Sequence, residues 1–244
     1  MSLLLILFGA FTGFTAGFFG VGGGMVLIPM LLFAGFTMKN AVAISILQMV
    51  FTSLFGSFLN YQKNKSLIKD GLFIGSGGFL GGLFSGIIIP NIQGIYLQYL
   101  FIFIVMLAIY RISISSTEVV DQEKSHNKFI LMIIGFFIGL IAMSIGVGGS
   151  VMLTPILVSY MYYNLKDASS LGLFFVVFSS IAGFISLSLS GNMLYLEGSM
   201  VGIASLIGVY FGIKFKNTIN IGSYKKMILI LYSIILVSVV SKVI

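Results

Sequence analysis

Two apolar stretches of this chain are each too long for one membrane helix, and the same glycine cluster interrupts both. The first runs from Ser2 to Phe36 and carries GVGGG at Gly20–Gly24; the second runs from Phe129 to Tyr163 and carries GVGG at Gly146–Gly149. Around the clusters they align without gaps at an offset of 126: GAFTGFTAGFFGVGGGMVLIP, from Gly9, lies over GFFIGLIAMSIGVGGSVMLTP, from Gly135, and ten of the 21 positions are identical. Matched Leu and Phe mean little between apolar helices. Matched Gly and Pro mean more, because each constrains the backbone. The pattern reads as a tandem duplication, with a first repeat over 1–114, a polar linker over 115–126 and a second repeat over 127–244.

The remaining apolar runs have the length of membrane helices. They are Ala41–Tyr61, Gly71–Ile89 and Ile95–Ile112 in the first repeat, and Ala168–Leu189, Tyr195–Ile213 and Lys226–Val243 in the second. Composition excludes the alternatives. Only 8% of the 244 residues are charged and mean hydropathy is +1.16, whereas a soluble domain carries about 25% charged residues. There is no cysteine for a disulfide scaffold or a thiolate metal site. The net charge of +7 comes from basic residues set between apolar runs, which reads as positive-inside bias and not as a nucleic-acid patch. The N-terminal MSLLLILF lacks a basic region, so no cleaved signal peptide is expected.

The basic residues also orient the repeats. If each broken run crosses the membrane once, the 13 Lys and Arg divide 7 to 6, which is no bias. If each returns to its starting side, one side receives Lys63, Lys65, Lys69, Arg111, Lys124, Lys128, Lys166, Lys214, Lys216, Lys225 and Lys226, and the other only Lys39 and Lys242. The second division is what the positive-inside rule predicts. It puts both termini outside and the 115–126 linker in the cytoplasm. Each repeat then has one broken element, re-entrant or in two parts, plus three spanning helices. Three is odd, so the second repeat is inserted upside down. The expected fold is an all-α integral membrane protein of two inverted-topology repeats, as in many secondary transporters. The counting does not set the depth of the break: Ser2–Phe19 alone would be ~27 Å long, enough to cross or nearly cross.

A glycine break inside a membrane helix exposes backbone groups that lipid cannot satisfy, so it belongs in protein or beside water. The helix that restarts after it, near Gly22–Met25 and near Gly148–Val151, offers free first-turn N–H groups and the positive end of a helix dipole. No Lys, Arg, Asp or Glu falls well inside a predicted span. Backbone amides, hydroxyls and carboxamides are therefore what remain to hold an anion. The candidate binding residues are Gly20, Gly22, Gly23, Gly24 and Met25 with Gln48 and Thr52, and Gly146, Gly148, Gly149 and Ser150 with Ser170. A hinge or packing role is the alternative for both clusters. Gln48 either donates to an anion or bonds a neighbouring helix, and Phe174 stands at its position in the second repeat. Ser45, Ser53, Ser57, Asn60, Ser169, Ser179 and Ser180 are secondary candidates. Gly9, Gly13 and Gly17, four residues apart, read as a helix-packing face, and Pro29 and Pro155 read as shaping their helices. His126, in the polar linker, reads as a solvated residue. There is no Ser–His–Asp set, metal cluster or P-loop lysine, so neither an enzyme nor a cofactor is expected.

The string G-x3-G-x3-G-x2-GVGGG-x4-P-M-L from Gly9 to Leu31, with its second copy, resembles the TauE/SafE family, also called the sulfite exporter or toluene-sulfonate-uptake-permease family. The resemblance covers essentially the whole chain. It departs from the pattern where Ser150 replaces Gly24 and Met143 replaces Gly17. It implies a bacterial inner-membrane transporter of sulfite, sulfonates or other small organic or sulfur-containing anions. The expected function is secondary transport by alternating access, with an anion channel or pore-like permease without ion coupling as the alternative. The expected partners are the small anion and the lipid bilayer. A coupling proton and a homodimer are left open, and nucleic acid is excluded.

Overall fold

The computed structural model describes residues 2–61, 68–114, 128–161 and 163–243; the 115–126 linker and His126 lie outside them. All regular structure among the described residues is helical. The order is α1 (Ser2–Phe19), α2 (Gly24–Phe33), α3 (Met38–Tyr61), α4 (Ile68–Gly82), α5 (Ser85–Asn91), α6 (Gly94–Ile114), α7 (Lys128–Ser144), α8 (Ser150–Tyr160), α9 (Leu165–Leu189), α10 (Tyr195–Lys216) and α11 (Ile221–Val243). Seven stretches are long and apolar enough to cross a membrane: α1, α3, α4 and α5 together, α6, α9, α10 and α11. At 17 residues, α7 would still extend ~25 Å. The outer surface carries exposed Leu7, Phe103, Phe137, Ile207, Ile230 and Val237, a face suited to lipid and costly in water.

Both predicted breaks are present, and both first arms end where the glycines begin. α1 stops at Phe19 and α2 restarts at Gly24; α7 stops at Ser144 and α8 restarts at Ser150. Gly20, Gly22 and Gly23 have φ between 71° and 87°, and their counterparts Gly146, Gly148 and Gly149 lie between 70° and 86°. These are left-handed conformations that cost another residue ~1–2 kcal/mol each. The sequence therefore bends the chain at equivalent points in both halves.

Glycine also sets the packing. Gly9, Gly13 and Gly17 of α1 lie directly against the carbonyls of Val201, Ser205 and Val209 of α10, and Gly208 and Gly212 of α10 lie against those of Ala10 and Phe14. The contacts advance together, so α1 and α10 run parallel. α4 and α7 repeat the arrangement: Gly77 and Gly81 meet the carbonyls of Met132 and Phe136, and Gly135 and Gly139 meet those of Ile74 and Gly78. Without side chains between them, the backbones approach closely enough for dispersion to hold them together in lipid. The two central helices, α3 and α9, run antiparallel, with Gly56 against Leu173, Ser53 Oγ 3.5 Å from Ser180 Oγ, and Ile46 against Gly183.

One predicted span is not continuous. Gly71–Ile89 reads as a plain helix, but α4 ends at Gly82 and α5 begins at Ser85. Ser186 of α9 fills the gap: its hydroxyl donates to the Leu83 carbonyl and accepts from the Gly86 amide at 2.9 Å. A hydroxyl from another helix thus replaces the missing intrahelical bonds, as a break at membrane depth requires.

Candidate functional site

The two glycine breaks meet at the middle of the molecule. Gly24 lies against the Gly146 carbonyl, and a Cβ on Gly148 would stand 3.3 Å from the Val21 carbonyl oxygen. Residues 20–29 and 142–151 are all buried. Met49 of α3 and Val176 of α9 close over both breaks. A Cβ on Gly22 would stand 3.2 Å from Val176 and 3.4 Å from the Met49 sulfur; one on Gly148 would stand 2.6 Å from that sulfur and 3.4 Å from Val176. The form described here is shut around the breaks.

Hydrogen bonding is divided unevenly between the carbonyls and amides of the breaks. Ser45 Oγ donates to the Gly146 carbonyl at 2.8 Å, Thr52 Oγ1 to the Gly22 carbonyl at 3.0 Å and Ser169 Oγ to the Phe19 carbonyl at 2.9 Å. The Gly23 carbonyl accepts from Val26 and Leu27, and the Gly149 carbonyl from Met152 and Leu153. Among the described residues, nothing accepts from the amides of Gly22–Met25 or Gly148–Val151. Neither Gly23 nor Gly149 supplies a side-chain cap. The carbonyls of Gly22, Gly23, Gly146 and Gly149 are thus satisfied, and the first-turn amides are left over at the positive ends of α2 and α8. A buried unpaired polar group costs about 1–3 kcal/mol, so these amides are a costly arrangement that an acceptor would relieve.

Two side chains at the same place carry an unpaired atom. Gln48 is fully buried against Gly23; its Nε2 donates to Thr12 Oγ1 at 3.2 Å, and its Oε1 has no partner. Ser150 Oγ, at the first residue of α8, is likewise buried and unpartnered. The two halves differ in chemistry here. Phe175, not Phe174, covers Gly149 as Gln48 covers Gly23, and it does so beside Ile138, the residue matching Thr12 at the 126 offset. The offset becomes 127 along α9, so Phe174 turns away to pack on Phe178 and Gly71. The Gln48–Thr12 pair of the first half is therefore an apolar Phe175–Ile138 pair in the second.

Of the predicted binding residues, Gly20, Gly22, Gly23, Gly24, Met25, Gln48, Thr52, Gly146, Gly148, Gly149 and Ser150 gather in this one region. Ser170 does not. Its hydroxyl bonds the Lys166 carbonyl at 3.0 Å and accepts from Lys216 Nζ at 2.9 Å, beyond Gly20. The two departures from strict duplication have simple causes. Position 24 or 150 is the first helical residue and needs no left-handed φ, so Ser150 is tolerated, while crowding by Gly146 and Ser45 keeps Gly24 bare. Met143 stands at the end of α7, within ordinary contact of Gly82 and Gly183, where Gly17 instead touches a helix backbone.

This architecture has recognisable relatives. The family model described as Sulfite exporter TauE/SafE matches residues 5–239. The chain belongs to the TauE/SafE sulfite exporter family. It is similar to the probable membrane transporter protein YunE of Bacillus subtilis, 25% identical with 96% of this chain and 94% of the relative covered. A probable membrane transporter protein of Methanocaldococcus jannaschii is 33% identical over 75% of this chain and 71% of its own length. One from Haemophilus influenzae is 28% identical over 78% and 74%. No solved structure matches the chain. Membership places the chain among multi-pass membrane transporters and not among enzymes.

Three features of this TauE/SafE site have no counterpart in the motif. Met49 and Val176 sit in ordinary apolar runs, and nothing in their surroundings separates them from core residues. Thr12 lies two turns before the first break and reads as one more hydroxyl in α1. Lys216 reads as an end residue of its span. It is one, but its side chain turns inward and is buried, which the order of residues along the chain does not reveal.

Proposed function

We propose that this TauE/SafE protein is a secondary transporter of a small oxyanion, such as sulfite or a sulfonate, that alternates access around the paired glycine breaks. The observation that carries the reading is the set of buried amides at Gly22–Met25 and Gly148–Val151, left without acceptors where two helices begin side by side. Such a site suits an anion with several oxygens, which can accept from both helix starts at once. Gln48 and Ser150 add donors that can rotate toward it. Glycine at the breaks lets the oxygens approach the backbone.

Inversion of the two repeats is part of this reading. It is supported by the antiparallel course of α3 and α9, which occupy equivalent places in the two halves. The reciprocal pairing of α1 with α10 and of α4 with α7 supports it too: the first element of each half packs on the second spanning helix of the other. The placement we propose is the cytoplasmic membrane, with both termini outside. Access then alternates as α3 and α9 part on one side of the breaks or the other, with Met49 and Val176 leaving the centre.

Reconstituted protein tests the function. Proteoliposomes preloaded with unlabelled sulfite are expected to take up external labelled sulfite faster than unloaded ones, and uptake should saturate. Flux that neither saturates nor responds to preloading would make the protein a pore. No flux of sulfite, sulfate or a sulfonate would remove the anion reading.

A further inference from the structure

The last two carbonyls of α1 are held by hydroxyls from other helices. The Tyr224 hydroxyl, near the start of α11, reaches both the Phe18 carbonyl and Ser169 Oγ at 2.9 Å. Ser169 Oγ, near the start of α9, donates to the Phe19 carbonyl at 2.9 Å and accepts from Lys216 Nζ at 3.0 Å. The Tyr224 ring is fully buried, 5.5 Å from the Phe18 ring and 6.0 Å from the Phe19 ring. Ser169 also packs on Gly20, with no room for a Cβ between them. Both helices begin at the end of the molecule that carries Lys166, Lys225 and Lys226. The group therefore stands between the lysine-rich side and the first break.

The opposite end is closed by different chemistry. At the 127 offset Gly56 matches Gly183 and Ile46 matches Leu173, and the contacts are exchanged accordingly: Gly56 packs on Leu173 and Gly183 on Ile46. Along α11 the same offset sets buried Tyr224, Ile228, Ile235 and Val239 over buried Leu97, Phe101, Ala108 and Ile112 of α6. Val42 thus stands for Ser169, and Gly146 packs on Val42 as Gly20 packs on Ser169. Leu97 stands for Tyr224. Neither Val42 nor Leu97 has a side-chain hydrogen to donate. The packing is looser there too. A Cβ on Gly56 would stand 2.5 Å from Leu173, but one on Gly183 would stand 3.4 Å from Ile46 and one on Gly146 3.1 Å from Val42.

We propose that Tyr224 and Ser169 form the gate on the lysine-rich side: two hydroxyl latches on the end of α1 that must release before an anion from that side reaches the amides beyond Gly20. The proposal rests on the alternating-access reading above and deepens it. The two gates are chemically unequal, one hydrogen-bonded and one apolar, and the empty carrier rests shut on the lysine-rich side. Water that enters on opening takes over the Phe18 and Phe19 carbonyls, so the release is reversible. Removing a bond made only in the shut form shifts the population toward the open one.

The test reads access to the centre, which does not depend on the identity of the anion. Met49→Cys, buried over the breaks, carries the only thiol, because the chain has no cysteine. Its reaction with a membrane-impermeant maleimide is timed in membrane vesicles that expose one side or the other, the lysine-rich side being identified by labelling of Thr218→Cys. Adding Tyr224→Phe, which keeps the ring and removes the hydroxyl, is expected to speed labelling from the lysine-rich side about fivefold, the equivalent of ~1 kcal/mol. Labelling from the opposite side should stay within about twofold. Ser169→Ala should act in the same direction, and it carries the test if Tyr224→Phe does not yield folded protein. Labelling from the lysine-rich side that does not rise in Tyr224→Phe, or in Ser169→Ala where it stands alone, overturns the proposal. So does an equal rise from both sides, which would mean that the fold as a whole has loosened. A one-sided rise in a protein that moves no anion in liposomes would instead overturn the transport reading and leave the gate standing.

Discussion

At the scale of single residues, the site depends on which backbone groups are satisfied. Ser45 and Thr52 hold the carbonyls of Gly146 and Gly22, and in the proposed function the amides are what a ligand meets. Ser45→Ala should therefore destabilise the protein by about 1–3 kcal/mol, the cost of an orphaned buried carbonyl, read as a lower unfolding temperature in detergent. Gln48→Leu, which gives the first half the apolar character that Phe175 gives the second, should weaken anion affinity about tenfold, in line with about 1.5 kcal/mol for a hydrogen bond to a charged group. An unchanged half-saturation concentration would remove Gln48 from the site. The glycine positions were legible in the sequence because left-handed conformations need glycine and the motif occurs twice. Gln48 was legible as an amide in hydrocarbon, though not its partner Thr12. Where Ser170 and Lys216 point was not legible for one reason: the direction of a side chain at a helix end follows from tertiary packing, which spacing does not encode.

At the scale of elements, the spaced glycines and the clustered ones do different work. Gly13 lies on the backbone of Ser205, so Gly13→Leu must push α1 off α10; overpacking of this kind costs about 1–3 kcal/mol. Gly35, with φ 92° and open space around it, should tolerate alanine at about 1–2 kcal/mol from conformation alone. Parallel thermal melts of the two variants check both, and a Gly13→Leu protein as stable as wild type would contradict the packing role of the α1 glycines. Span boundaries followed from hydropathy because lipid imposes length, and they hold for α3, α6, α9 and α10 within a few residues. α11 begins at Ile221, ahead of the predicted Lys226, because Tyr224 is drawn inward to the end of α1. The α4–α5 break was not legible. Gly71–Ile89 is glycine-rich throughout, and what fixes the interruption is Ser186, about a hundred residues away in the chain.

At the scale of the molecule, the surroundings of the two breaks are unequal. The polar Gln48–Thr12 pair and the Tyr224–Ser169 pair both belong to the surroundings of the first break, and the second break is lined by Phe175 and Ile138. An anion would be held mainly by backbone on one side and by backbone with side chains on the other. The orientation can be checked directly, because the chain has no cysteine and any introduced thiol is unique. Asn192→Cys, in the exposed α9–α10 turn, should react with a membrane-impermeant maleimide added outside intact cells. Thr218→Cys, in the exposed α10–α11 turn, should react only after the membrane is opened. The reverse pattern would invert the topology.

The central claim is that the paired breaks hold an oxyanion by their backbone amides. The most direct measurement is a crystal structure of the protein with selenite, an anomalous scatterer of sulfite-like shape. The expected result is a peak within hydrogen-bonding distance, roughly 2.7–3.2 Å, of the amides in Gly22–Met25 or Gly148–Val151. Selenite bound elsewhere, with both breaks still closed beneath Met49 and Val176, would contradict the account.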